Sequence, residues 1–269
     1  MLPEPPATAP SGQAVPVRER AFLGVSAVLF AASTWITVAW CGSMSGGMPM
    51  PGGWVMSMAW MRMPGQSWPG AAAAFMGMWI VMMAAMMLPS LVPMLSGYRR
   101  SVHGLDEARL GALTAIAGAG YLAVWTALGA AVYPLGVALG AAEMRWHAVA
   151  RAVPLATGVA LVLGGCVQLT GWKARRLGHC RDAGCAPAPG PGLRGAWRHG
   201  LRLGLRCNLC CSGLVVALLV AGVMDLAVMA AVAVAITAER LAPWPGRIAR
   251  LSGAAVVAAG ALAIARAAR

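Results

Sequence analysis

A chain of 269 residues that is 59% hydrophobic and 11% charged, with a mean hydropathy of +0.71, is not an ordinary soluble domain, since those carry about 25% charged residues. The net charge of +13 would suit nucleic acid, but the lysines and arginines lie between apolar runs and form no soluble basic face, which excludes that class. The expected fold class is an all-α membrane protein, a polytopic transmembrane helical bundle. Long, non-alternating apolar runs satisfy their own backbone polar groups in lipid only as helices.

In chain order, residues 1–20 are rich in Pro and Ala and are expected to form a disordered tail. Residues 21–269 are expected to form one transmembrane helical domain of about seven spans. The runs are 21–41, 70–96, 112–140, 153–171, 201–221, 224–241 and 251–265, each near the ~20 residues that cross a bilayer. The first is read as a retained anchor, being too long for a signal peptide and lacking a small-residue exit. Between Cys207 and Ala238 the only charge is Asp225. One helix of that length would overshoot the bilayer, so a turn is placed at 222–225, with Asp225 as a helix cap. Six spans, with the fifth and sixth fused, is the alternative.

Orientation follows from the basic residues. With the N-terminus inside, sixteen of the twenty-one Lys and Arg fall on the inner side. They are Arg18 and Arg20; Arg99, Arg100 and Arg109; the eight from Lys173 to Arg206; and Arg240, Arg247 and Arg250. This is the positive-inside pattern. A Met-rich connection, 42–69, then faces outside, and a basic connection, 172–200, faces inside.

Methionine is concentrated. Fourteen of eighteen lie between Met44 and Met94. In "WIVMMAAMMLPS", Met82 and Met86, and Met83 and Met87, stand at i, i+4, and Met78 extends the first stripe. A single Met in a span fills packing gaps. So dense a set points to thioether ligation, which suits Cu(I) and needs no deprotonation. Met44, Met48, Met50, Met56, Met58, Met61 and Met63 belong to the outer connection, where no core is expected to bury them.

"RCNLCC" puts Cys207, Cys210 and Cys211 at i, i+3 and i+4, on one helical face. Two or three thiolates suit Cu(I). Zinc fits less well, because its structural sites want two cysteine pairs or a pair with histidines. Cys207-x-x-Cys210 also has oxidoreductase spacing, but no thioredoxin-like βαβ pattern surrounds it. Cys41 and Cys166 read as small apolar fillers. His179, Cys180 and Cys185 are a looser metal candidate in the basic connection. Gln168 and Glu239 lie near the inner ends of the fourth and sixth runs, and Glu239–Arg240 reads as an interfacial pair. The alternating topology places Met82–Met87 and Cys207–Cys211 at the same depth, in the inner half. No Ser–His–Asp set, carboxylate pair, ATPase or kinase motif is present, so no enzyme is expected.

"WIVMMAAMMLPSLVPM", with "GYLAVW", "GWKARRLGHCR" and "GLRLGLRCNLCCSGL", resembles a family of bacterial integral membrane proteins predicted to bind metal, the domain of unknown function numbered 2182. The resemblance implies that Met82, Met83, Met86 and Met87 match the family's Met cluster. Cys207, Cys210 and Cys211 match its C-x-x-C-C. The chain departs at Arg176, where the family often has a cysteine, and at Ser212, where an aromatic is common.

The expected function is a bacterial inner (cytoplasmic) membrane protein, multi-pass, N-terminus cytoplasmic, that binds Cu(I) for copper handling, delivery or transport. The expected ligands are Cys207, Cys210, Cys211, Met78, Met82, Met83, Met86 and Met87. The outer methionines capture the ion, the stripes relay it and the thiols hold it. The partners are the lipid bilayer, the metal ion and a copper-receiving or assembly protein, with no nucleic acid. An assembly protein without metal transport, and a membrane thiol redox protein, are the alternatives.

Overall fold

The structure, a computed structural model, describes residues 17–43, 47–50, 54–62, 65–102, 104–182 and 192–268. These form eight α-helices: α1 (Val17–Ser43), α2 (Trp68–Ser101), α3 (Glu107–Arg145), α4 (His147–Leu169), α5 (Gly171–Asp182), α6 (Leu193–Ala221), α7 (Leu226–Leu241) and α8 (Pro245–Ala267). A short antiparallel hairpin, β1 (Gly47–Met50) with β2 (Trp54–Ser57), lies between α1 and α2. The protein is an all-α helical bundle, as its apolar runs imply. Among the described residues six helices, α1, α2, α3, α4, α6 and α8, are long and apolar enough to cross a membrane. α7 is equally apolar but has 16 residues, about 24 Å of helix, a little less than the ~30 Å hydrocarbon core.

The turn between α6 and α7 falls where it was expected. Gly222 closes α6 at φ +138°, a backbone conformation glycine adopts without strain. The Asp225 carboxylate accepts from the N–H groups of Ala227 and Val228 at 2.8 and 3.0 Å and so caps α7. Three expectations need correction. Residues 17–20 of the expected tail are helical. The basic connection is not a loop throughout. Its first part is α5, because Lys173, Leu177 and Cys180 recur at i, i+4 and i+7 and give that charged segment one face to bury. The outer connection builds its own small core, in which Met50 and Met56 pack on Ala150 of α4, with Trp54 and Met61 beside them.

Two ends of the bundle are distinct. At one end the N-terminus of α1 meets the C-terminus of α2, and Arg99 of α2 pairs with Glu107 at the start of α3 at 2.6 Å. The start of α6 reaches the same end, where His199 stacks on Tyr98 of α2, and the ends of α4 and α7, α5, the middle of α6 and the early turns of α8 are joined by hydrogen bonds. At the other end the hairpin sits on α3 and α4, and Trp54 Nε1 donates to the Ala150 carbonyl at 2.9 Å. Tryptophans ring both ends, each under an arginine: Trp68 with Arg62 and Trp146 with Arg145 at the hairpin end, Trp172 with Arg176 and Trp244 with Arg247 at the basic end. Such pairs suit a membrane–water interface.

Small residues bring the helices together. α4 packs on α8 through Gly158, Gly165, Gly253 and Gly260, and α3 packs on α6 through Gly120, Gly200 and Gly204. α2 and α6 are the most enclosed helices and carry most of the large core side chains. A Cβ at Gly200 would stand 2.8 Å from the Ala117 carbonyl carbon. Gly200→Leu is therefore expected to wedge α3 from α6 and to lower stability by about 1–3 kcal/mol. Gly178→Ala, whose Cβ meets nothing within 4 Å, is expected to hold or raise it. Thermal unfolding of the two variants in detergent checks the contrast.

Candidate metal centre

The site begins with the close approach of α3 and α6. Gly204 lies where a Cβ would be 2.9 Å from the Tyr121 carbonyl, and this brings the Tyr121 hydroxyl to 2.8 Å from Cys207 Sγ. Cys207, Cys210 and Cys211 lie on one buried face of α6, and Cys180 of α5 is buried in the same core. All four are free thiols and all are buried. The i, i+3, i+4 spacing thus does place Cys207, Cys210 and Cys211 together. Cys180 joins them from an element that the sequence reading left as a connection. His179 points away, exposed, and its Nδ1 is 2.6 Å from the Arg175 carbonyl within α5. Cys185 lies outside the described residues.

Behind Cys210 stands a buried ion pair. Lys173 Nζ donates to Glu239 Oε2 and to the Cys210 carbonyl, both at 2.6 Å. Gln168 Nε2 at 2.9 Å and Ser252 Oγ at 2.7 Å donate to the other carboxylate oxygen, Oε1. Lys173 and Glu239 side chains are each 1% exposed. Glu239 therefore pairs with Lys173 and not with Arg240, its neighbour in sequence. Consecutive residues on a helix point about 100° apart, so the two face different partners. Arg240 turns instead toward sulfur, with Nη2 3.5 Å from Cys211 Sγ and Nη1 3.9 Å from Met94 Sδ. It is 6% exposed, and its Nε has no partner among the described residues.

Met78, Met82, Met83, Met86 and Met87 are all buried and belong to the same continuous core as the cysteines. α2 and α6 each pack against α3 and α7, and Arg240 touches a sulfur on both. The thioether of α2 that Arg240 links to Cys211 is Met94. From there the thioethers extend back along α2 to Met78, about 24 Å at 1.5 Å per residue. Beside Met78, Phe75 stacks on Trp79 and meets Tyr133 and Trp60 at a tilt, an aromatic group between this stripe and the methionines of the hairpin. Met44 and Met63 lie outside the described residues. Cys41 is buried in the core, while Cys166 faces outward.

Among the described residues no three of His, Cys, Asp or Glu converge as a closed metal cage requires. What the donor set fits is an ion content with two soft ligands, and Cu(I) is such an ion. A Cu(I) bis-thiolate carries −1. The buried guanidinium, which donates to Met94 Sδ and Cys211 Sγ, would offset that charge.

Residues 76–263 match the PpoB2 family, described as copper chaperone. The chain belongs to that family. No curated protein and no solved structure matches it. The copper-chaperone match begins at Met76 and runs into α8, so it covers the thioether stripe, all four thiols, Lys173, Glu239 and Arg240. The hairpin and α1 fall outside it. Copper handling belongs to a family defined by this helical core.

Three residues of the centre were not singled out from sequence as site residues: Tyr121, Lys173 and Arg240. Cys180 was named only in a looser candidate with His179 and Cys185. A signal for Lys173 existed, since the inward face of α5 in "GWKARRLGHCR" contains both Lys173 and Cys180. Glu239→Gln leaves the Lys173 ammonium buried without its carboxylate, and is expected to cost about 3–5 kcal/mol. The double change Lys173→Met with Glu239→Gln removes both charges and is expected to recover part of that loss. A double-mutant cycle read by thermal unfolding checks the sign of the coupling.

Proposed function

We propose that the protein is an inner-membrane copper chaperone that holds Cu(I) on buried sulfur. The thiols are Cys207, Cys210 and Cys211, and the thioethers are Met78, Met82, Met83, Met86 and Met87. The observation that carries this reading is the burial of both sulfur sets in one core, with Arg240 in contact with a sulfur of each helix. Neutral thioethers can take a monovalent soft ion through an apolar core without losing a proton, and thiolates beside a guanidinium can hold it more tightly. Zinc suits this arrangement less, since its structural sites want four ligands in a tetrahedron.

The chain is read as a single transmembrane domain with the N-terminus and the basic end cytoplasmic. The arginine-rich helix ends support that orientation, and the tryptophans at both rims mark the two interfaces. The hairpin then faces the opposite side as a Met-lined cap over the aromatic group. A chaperone passes its cargo to a receiving protein, so a copper-accepting protein is the expected partner. With no nucleotide-binding motif, the protein acts as a carrier and not as an ATP-driven pump.

The deciding measurement is copper content. Purified in detergent under anaerobic, reducing conditions and loaded with Cu(I), the wild type is expected to retain at least one copper per chain. A Cys207/Cys210/Cys211→Ser variant is expected to lose it. Retention of none by the wild type would remove the reading. Orientation has its own check. A reporter enzyme active only outside the cytoplasm is expected to be active when fused after Gly65 and silent after Asp182.

A further inference from the structure

We infer that Cys180 and Cys210 are the two thiolates that close on the copper ion, making the surface helix α5 part of the metal site. The inference rests on the copper-binding reading above and assigns the ion to a particular pair. Cys180 and Cys210 are each 1% exposed and belong to one core. Lys173, on the same face of α5 as Cys180, donates to the Cys210 carbonyl at 2.6 Å. Leu177, also buried, lies between Lys173 and Cys180 on that face. The face of α5 that carries Cys180 is therefore tied directly to the backbone of Cys210.

The other two thiols are engaged elsewhere. Cys207 Sγ is 2.8 Å from the Tyr121 hydroxyl, and Cys211 Sγ is 3.5 Å from Arg240. Cys180 and Cys210 are the thiols on the two segments that Lys173 ties together. Cu(I) accepts two-coordinate thiolate ligation, which fits a bundle in which no three-residue cage converges. Loading forms two Cu–S bonds and releases two thiol protons to solvent. Copper stays Cu(I) throughout, and the product carries −1. Lys173, on α5, and Arg240, in contact with the neighbouring Cys211, are the cations that flank it. The outward side of α5, with Arg175, Arg176 and His179, is exposed. One of the two ligands thus sits on the element nearest solvent at the basic end, where a receiving protein would approach.

The test is Cu(I) affinity of the full chain in detergent, measured anaerobically in competition with a chromophoric Cu(I) chelator. Cys180→Ser and Cys210→Ser are each expected to weaken binding at least about 100-fold, the upper end of the loss when an outer-shell partner is removed. The double variant is expected to lose little more than either single, because either one already destroys the same two-ligand site. Cys180→Met, which restores a soft donor, is expected to recover part of the affinity. Cys180→Ala keeps the packing face of α5 and serves as a second variant, with apo-protein unfolding read separately to show that the fold persists. Wild-type affinity in both Cys180→Ser and Cys180→Ala, with copper still lost in the Cys207/Cys210/Cys211→Ser variant, would overturn the pair and leave the chaperone reading standing. Absence of copper from the wild type would overturn both.

Discussion

The Lys173–Glu239 ion pair is the joint on which the site end of the bundle depends. Its members come from α5 and α7, and their remaining hydrogen bonds reach α4, α6 and α8. Two opposite charges at 2.6 Å, each 1% exposed, are tolerable in an apolar bundle only as a pair with their other lone pairs and protons satisfied. Here they nearly are, through Gln168, Ser252 and the Cys210 carbonyl. That carbonyl belongs to a thiol residue, so the joint that holds five helices in register also fixes the backbone from which Cys210 projects.

Arg240 is what this pairing leaves over. With Glu239 committed to Lys173, the enclosed charges at this end do not cancel, and the guanidinium meets sulfur instead of carboxylate. A unit charge about 4 Å from another interacts by about 4 kcal/mol at an effective dielectric of 20. That is enough to favour an anionic copper–thiolate complex over a cationic copper–thioether one beside Arg240. The close glycine contacts of α3 with α6 serve the same end, since they let Tyr121 reach Cys207. In lipid, where burying apolar surface drives helices together only weakly, such small-residue contacts carry much of the association.

Much of this was legible in the chain. Apolar runs gave the spans, and Asp225 with Gly222 gave the turn, because both signals are local. The i, i+4 methionines and the i, i+3, i+4 cysteines were visible for the same reason, but their burial in one core depends on which helices pack together and was not. What stayed hidden was pairing. Glu239 and Arg240 are adjacent in sequence and diverge in space. Lys173 lies sixty-six positions from its carboxylate. Cys180 sits among so many charges that its segment reads as a connection until the eight-residue span from Lys173 through Leu177 to Cys180 is laid on a helix. The hairpin's methionines were misjudged because a small local core, on Ala150, leaves no mark in hydropathy.

Taken together, the sulfurs and the charges describe a direction of increasing hold. Along α2 the donors are neutral, and a monovalent ion keeps its charge in an apolar setting, so nothing there favours a long stay. At the level of Met94 the ion comes within reach of a guanidinium, which repels it as long as the nearby thiols keep their protons. Binding at the thiol end therefore requires that protons leave as copper arrives, and in the proposed chaperone this exchange is what distinguishes passage from capture. Because one of the proposed final ligands is carried by α5, a helix that buries Lys173, Leu177 and Cys180 on one face and exposes Arg175, Arg176 and His179 on the other, the strongest hold lies one helix away from solvent at the basic end.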